Sequence, residues 1–357
     1  MHTRFDVAIA GTGPAGMLAA AACGAAGLRV ACLAPVPHAA WGPVYGVWVD
    51  DVADAELAGA MAAVWSRVSV QTHRTEYVQG LYGRVDRARW QAILRDRCEA
   101  TGVTFLTGRL DRVEHGADGS RVIGPDTDVT ARVVVQATGS PEGASLFQVA
   151  WGEVIEGDLG QDMRWMEFGD DGSFLYAMPD GERVFVEETS LATRVIDLDG
   201  LRDRLHARLA KLGLSGGSVG VERCVIALDA PVPGPDRLVR FGSNAGMVNP
   251  STGYLLARLV EAAPVLAASL AANVEGRVEA AGPAAWNALW PASRRAQRLL
   301  HIAGAQVVAR LSPSQLKTFF AAFFRLPAGT RRAWLADHLG PVELASAMAR
   351  MPFLVEV

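Results

Sequence analysis

Phe5-Asp-Val-Ala-Ile-Ala-Gly-Thr-Gly-Pro-Ala-Gly16, followed by an Ala- and Leu-rich stretch over residues 17–26 and a second apolar run over residues 28–33, decides the fold. Strand, glycine turn, helix and strand succeed one another within about thirty residues. That is the context in which a G-x-G-x-x-G sequence marks a dinucleotide-binding βαβ unit. The glycines allow a tight turn and close approach of the backbone to a pyrophosphate, which the helix N-terminus meets with unpaired N–H groups. Gly11, Gly13, Pro14, Ala15 and Gly16 are therefore candidate cofactor contacts. One element departs from the pattern. The acid that normally ends the second strand and binds the ribose hydroxyls is absent from Cys32-Leu33-Ala34-Pro35. Either another residue handles the ribose or dinucleotide affinity is weakened. A free nicotinamide cofactor suffers more from this loss than a flavin dinucleotide with many other contacts.

Outward from this unit, Tyr82-Gly-Arg84-Val-Asp86-Arg87 leads into a helix predicted over residues 88–100. Residues 132–139 read as a further parallel strand ending in a small-residue turn at Gly139. Residues 148–230 read as alternating strands of an antiparallel substrate domain. A strand returns at residues 238–242, followed by a second glycine-rich turn into a helix, with Gly246, Met247, Asn249 and Gly253. Amides at such a helix start suit the pyrimidine and ribityl end of a flavin. Beyond Leu255 the chain reads as helical. The expected fold is α/β, or α+β with a Rossmann-like core. Its segments are residues 1–147 with 231–275 for the dinucleotide, 148–230 for the substrate, and a helical region over 276–357.

Within the second segment, Phe174-Leu-Tyr-Ala-Met-Pro179 and Val184-Phe-Val-Glu-Glu-Thr-Ser-Leu191 put two adjacent carboxylates into an apolar strand. Burying one unpaired carboxylate is costly. Successive strand residues point to opposite faces. Glu187 and Glu188 therefore cannot share one pocket without a bulge, and the one that faces away needs a partner. A solvated or salt-bridged pair on an edge strand is the competing reading. Upstream, Trp41-Gly-Pro-Val-Tyr45-Gly-Val-Trp48-Val-Asp50-Asp51 is an aromatic cluster ending in two acids. It is read either as core with an Asp helix cap ahead of residues 53–63 or as a site segment. Phe319, Phe320, Phe323 and Phe324 form a helical stripe. It is either core or tunnel wall, or a membrane-facing apolar patch together with Trp334 and residues 348–354.

Composition narrows the function classes. The chain has 357 residues and a net charge of -4, so no broad basic face and no nucleic-acid partner are expected. The four cysteines (Cys23, Cys32, Cys98, Cys224) show no paired spacing and read as buried thiols in a reducing compartment, with no metal site. A strand pattern already at Phe5 leaves no room for a signal peptide, and no uncharged apolar run reaches the eighteen or so residues of a spanning helix. The expectation is a cytoplasmic protein, at most one that lies on a membrane.

These pieces, in this order, resemble the flavin-dependent lycopene β-cyclases of plants and bacteria. The resemblance covers nearly the whole chain: GTGPAG at 11–16, YGVWVDD at 45–51, YGRVDR at 82–87, QATG at 136–139, FLYAMP at 174–179, FVEETSL at 185–191, ERCVIAL at 222–228, AGMVNPSTGY at 245–254, WNALWPASRR at 286–295 and the phenylalanine stripe. It implies a flavoprotein-monooxygenase-like fold binding FAD, active in the reduced form, with NAD(P)H as an external reductant. It also implies a redox-neutral closure of a β-ionone ring on an acyclic carotenoid or related isoprenoid. The family ties the glutamates of this motif to acid–base catalysis, which carries over to Glu187 and Glu188; of the two, Glu188 is expected as principal proton donor and acceptor, with Glu187 in a supporting or flavin-linked role. The aspartate pair carries over to Asp50 and Asp51, with Asp51 as a further catalytic candidate where the family more often has Asp-Glu. Arg84 and Arg87 are implied as flavin contacts. Trp41, Tyr45, Trp48 and Tyr176 are candidate walls of the substrate pocket. Two departures stand out: the family's histidine in GMVHP is Asn249 here, and the aspartate of its ATG strand is Gln136. A monooxygenase or prenyl-chain reductase on the same scaffold is the alternative, and the sequence leaves the oligomeric state open.

Overall fold

The computed structural model describes residues 5–214 and 217–353; the end of the apolar tail, Leu354, lies outside them. Phe5–Ala10 is an inner strand of a seven-stranded sheet, hydrogen-bonded in parallel to Val30–Ala34 on one side and Thr127–Gln136 on the other. Thr104–Thr107 extends the sheet beyond Val30–Ala34, and Leu238–Arg240 pairs in parallel with Thr127–Gln136. Val7, Ala8 and Ile9 are fully buried. A strand covered on both faces needs a continuous apolar run rather than alternation, which is what the sequence supplies. Val7 and Ile9 pack toward the helices, while Ala8 and Ala10 pack against Leu33, Val122 and Val129.

Helix Pro14–Ala25 springs directly from the glycine turn. A Cβ added at Gly16 would sit 1.8 Å from the carbonyl oxygen of Gly11. That atom is backbone in the turn itself and cannot give way cheaply. Gly16→Ala is therefore expected to cost about 3 kcal/mol or more by forced displacement of the turn, read as a lower midpoint in urea unfolding.

The second seven-stranded sheet runs in the order Ser218–Ala227, Phe147–Glu156, Arg183–Thr193, Phe174–Asp180, Met163–Phe168, Val68–Gln71, Thr75–Val78. Two features differ from the sequence reading. Val68–Gln71 and Thr75–Val78 join this sheet, although they precede residue 147, and Val68–Gln71 pairs in parallel with Met163–Phe168. Their alternation predicts a strand but carries no information on which sheet receives it. Residues 198–211 form a helix capped by Asp197, not a strand. Leu201, Leu205 and Leu209, spaced four residues apart, make a stripe that packs on one face of the sheet with Val184, Val186 and Leu175. A small third sheet joins Gly46–Trp48, Tyr82–Val85 and Met61–Trp65.

The helix expected over 53–63 is only Ala55–Ala58, and its cap is Asp54, whose side chain accepts from the amides of Glu56 and Leu57. Asp51 ends a short 3-10 turn instead and is free for another role. The C-terminal region is helical, as expected, from Leu256–Asn273 to Pro341–Met348. Leu256–Asn273 is long and apolar enough to cross a membrane by length and composition, though it contains Arg258 and Glu261. Its Leu259, Ala263, Leu266 and Leu270 are buried in the same core as helix Pro14–Ala25. Phe319, Phe320, Phe323 and Phe324 are all buried, so the stripe is an internal wall rather than a surface patch.

Candidate active site

A single cavity of about 500 Å³ runs from the glycine turn to the phenylalanine stripe. Its lining includes Gly13, Pro14, Ala15 and Gly139 of the glycine turns, Gln148 and Asn249–Gly253, Tyr45, Trp48, Tyr176, Glu187 and Glu222, and Trp165, the four phenylalanines and Trp334. The second sheet contributes the face opposite helix 198–211, and the C-terminal helices roof it.

The glycine end fits a dinucleotide on geometry. Gly13 caps helix Pro14–Ala25 without any side-chain hydrogen bond, and a Cβ there would meet nothing within 4 Å. The first-turn amides, which no helical carbonyl precedes, are thus left to an anion in the cavity. Gly139, at φ 87°, also has open space where a Cβ would be. Further along, the Asn249 Nδ2 and Gln148 Oε1 atoms are buried without a partner, a donor and an acceptor on the cavity wall. Gly253 allows close approach to Gln148, since its Cβ would fall 2.1 Å from Oε1. The strand bearing Ala34 still ends without an acid, and the following Val36 is exposed.

Other residues expected at the cofactor stand behind this surface. Gly11 packs on Ala137 and Thr138. Gly246 sits in a left-handed turn facing the carbonyls of Ala230 and Pro231, and the Met247 sulfur accepts from the Gly242 amide. Arg84 is ion-paired with Asp180 and does not line the cavity, so the flavin contact expected of it is withdrawn. Arg87 donates to the carbonyls of Trp41, Gly42 and Pro43, fixing that loop. Trp41 is likewise corrected from pocket wall to buttress: its Nε1 donates to the Thr12 carbonyl at 2.9 Å, bracing the glycine turn from behind.

The register across the glutamates contains no bulge: Tyr176 faces Glu187 and Leu175 faces Glu188, with Gly152 and Trp151 opposite them on the other side. The two side chains therefore point to opposite faces. Glu188 turns toward helix 198–211, fully buried, where Arg208 Nε and Nη2 donate to its two oxygens at 2.8 and 2.7 Å and Ser173 Oγ donates at 2.5 Å. This goes against the expectation that Glu188 is the principal acid: held by a bidentate guanidinium beneath the sheet, it faces away from the cavity and does not line it. Glu187 faces the cavity. Among the described residues its only side-chain hydrogen bond comes from Thr189 Oγ1 at 2.7 Å, and burial pushes its carboxyl up to about 7, against the opposing Thr189 bond and with the neighbouring Glu222 adding to the rise.

Glu222, not singled out from the sequence, lies on Ser218–Ala227 across Gly152 from Glu187 and also lines the cavity. Its Oε2 accepts from the Val44 amide at 2.8 Å, and burial pushes it upward while that bond and Arg87 oppose. The signal was available: Glu222, Cys224 and Ile226 share one parity on the strand, an acid in a cavity-facing set.

The aromatic wall is tied together by hydroxyls. Tyr82 is hydrogen-bonded to Tyr176 and to Tyr254, each at 2.9 Å, and Trp165 Nε1 donates to Tyr254 at 2.8 Å. Burial raises all three phenols well above their ordinary range, so they stay neutral. A Cβ at Gly46 would fall 2.3 Å from the Tyr176 hydroxyl, so a glycine is needed for the network to close. Trp48 stacks edge-on against both Tyr82 and Trp165. Asp51 lines the cavity near Arg332, whose Nε is 3.8 Å away; burial pushes it up to about 6 despite that cation. Beside Asn249, Ser251 Oγ lies 2.7 Å from His301 Nδ1, and His301 Nε2 lies 3.3 Å from Asp337. An imidazole thus stands two hydrogen bonds from the Asn249 side chain, by way of Ser251, on a helix that the sequence did not connect to the site.

A family sequence profile described as lycopene cyclase protein matches residues 6–356. Lycopene beta cyclase of Capsicum annuum is 34% identical over 377 residues, covering 95% of this chain and 76% of that protein. The Arabidopsis thaliana lycopene beta cyclase is 33% identical over 95% of the chain and 76% of its own length. Neoxanthin synthase of Solanum tuberosum is 32% identical over 96% of the chain and 77% of its length. Among solved structures, a geranylgeranyl bacteriochlorophyll reductase-like protein from Thermoplasma acidophilum superposes with a TM-score of 0.74 at 15% identity, covering 100% of this chain and 98% of that one. A flavin-dependent brominase gives 0.67 at 14% identity over 97% and 98%. These last two bear on the fold alone, which this chain shares with them.

Proposed function

The chain belongs to the lycopene cyclase family, and from that premise we propose that it binds FAD and closes a β-ionone-type ring on an acyclic carotenoid, with Glu187 as the acid and base. The observation that carries this reading is the carboxyl of Glu187, paired only with a threonine hydroxyl, on the wall of an aromatic cavity that is continuous with the glycine turn.

Protonating an isolated alkene demands a carboxylic acid that still holds its proton near neutral pH. Burial supplies that at Glu187. The proton goes from Glu187 to the terminal double bond of the polyene, leaving a cation on the adjacent carbon. The next double bond attacks that cation, the ring closes, and the charge moves to the ring. The Glu187 carboxylate then removes a ring proton, which regenerates the acid and leaves an isomer of unchanged mass. Tyr45, Trp48, Trp165 and Tyr176 offer ring faces along this path, and each cation–π contact is worth about 0.5–2 kcal/mol. Water kept out by the phenylalanine wall would otherwise quench the cation. The first-turn amides at Gly13–Gly16 and the polar atoms of Gln148 and Asn249 would hold FAD, which in its reduced form would supply negative charge to favour a developing cation.

Two measurements test this. Incubation with reduced FAD and lycopene should give a product of unchanged mass carrying new ring ends. A gain of one oxygen would instead identify a monooxygenase, and a gain of two hydrogens a reductase. Turnover should also depend on protonated Glu187, so kcat is expected to be highest on the acid side and to fall with a midpoint near pH 7. A rate that rises through that range would remove Glu187 as the acid.

A further inference from the structure

Glu187 is not the only carboxyl on this wall. Gly152 is the register partner of Glu187 on one side and of Glu222 on the other, so the two acids flank one glycine on the same face of three adjacent strands. No side chain from the middle strand separates them. The ring of Phe185 fills the space over Gly152, 2.9 Å from where a Cβ would sit, and gives both acids an apolar neighbour. Their remaining surroundings are unequal. Glu222 accepts the Val44 amide and has Arg87 as a nearby cation. Glu187 has only the Thr189 hydroxyl and faces the neutral phenols of Tyr176 and Tyr82. Tyr45 and Cys224, the other titratable groups beside Glu222, are both held in their neutral forms by burial.

We propose that Glu222 is a positioning residue for catalysis: with Glu187 it forms an acid dyad that carries one proton, and its own charge keeps that proton on Glu187, ready for the polyene. Two carboxyls across a glycine cannot both ionise without repulsion. The amide and the cation select Glu222 as the ionised member, and the bare aromatic side of the cavity selects Glu187 as the protonated one. The same charge opposes loss of the proton to solvent between turnovers. It also makes Glu187 a stronger base after the proton has been given, which favours recapture from the ring. This inference rests on the reading of Glu187 as proton donor, but its test does not need turnover.

The test is a carbon-13 NMR titration of the protein labelled at the glutamate carboxyl carbons, with the Glu187 signal assigned by its loss in E187Q. In E222Q, which keeps an oxygen to accept the Val44 amide, the Glu187 midpoint is expected to fall by about one pH unit. Glu222 ionises while Glu187 is still neutral, so its own midpoint should change little in E187Q; E222A gives a second reading of the Glu187 midpoint should E222Q fold poorly. In steady-state assays the alkaline limb of kcat in E222Q should move down in pH by the same interval, a shift that a merely structural defect would not produce. An unchanged Glu187 midpoint in E222Q or E222A overturns the dyad. Loss of cyclisation with the coupled titration intact would overturn the cyclase reading instead.

Discussion

Glu187→Gln is expected to lower kcat for ring closure by about 10²–10⁴-fold, the usual contribution of a positioned general acid, with the fold intact. The amide has the shape of the protonated carboxyl and retains an oxygen for the Thr189 hydroxyl, which is the only side-chain bond Glu187 makes. It cannot give up a proton to an alkene. The stability of the variant follows from the sign of the shift. The carboxyl of Glu187 is raised to about 7 from an ordinary value near 4.5, so the folded state holds a proton that the unfolded chain has released across that interval. The contribution of this group to stability is therefore fully present below pH 4.5 and is lost as pH rises through 7. Glutamine removes that dependence. E187Q should match the wild type in acid and be the more stable protein above pH 7. Urea midpoints at pH 5 and pH 8 beside product quantification decide this. Wild-type turnover in E187Q would dismiss Glu187 from the chemistry, and a fall in stability above pH 7 would show that its carboxylate is better accommodated than its surroundings indicate.

Much of this site was legible in the sequence, and what was not has a physical reason. The turn from Gly11 to Gly16 needed no tertiary information, because steric demands on a βαβ turn are local. Strand parity was equally local, and it required that Glu187 and Glu188 part company. Which of them meets the cavity depends on what covers each face of the sheet. That was hidden in residues 198–211, read as strand but folded as a helix whose Arg208 reaches back under Glu188. With the helix misassigned, the partner of Glu188 was invisible, and the family resemblance, which covers both glutamates, did not choose between them. Glu222 was missed for a related reason: its proximity to Glu187 arises from the pairing of both strands with Phe147–Glu156, a long-range register. His301 lies 50 residues from the hydroxyl it bonds, and Trp41 reads as a pocket aromatic until its indole is seen to brace Thr12.

The neighbouring acid should behave in the opposite way. Glu188→Gln is expected to leave kcat per folded molecule within a few-fold of wild type and to lower stability substantially. Glu188 is fully buried and bound to Arg208 through two hydrogen bonds, with Ser173 adding a third. Breaking a buried ion pair by removing one partner typically costs about 3–5 kcal/mol, because the other charge is left desolvated. The two members are not equally trapped. The Arg208 side chain is 18% exposed and can turn partly toward water, whereas Glu188 at 0% cannot. Arg208→Met should therefore be the more damaging substitution, since it strands the carboxylate under the sheet without a partner cation. The double variant E188Q/R208M should recover much of the combined loss, because no uncompensated charge remains; the size of that recovery is the coupling of the pair. Urea unfolding of the three variants, with turnover normalised to the folded fraction, separates the roles. If E188Q abolished turnover at unchanged stability, the assignment of chemistry to Glu187 and of structure to Glu188 would be reversed.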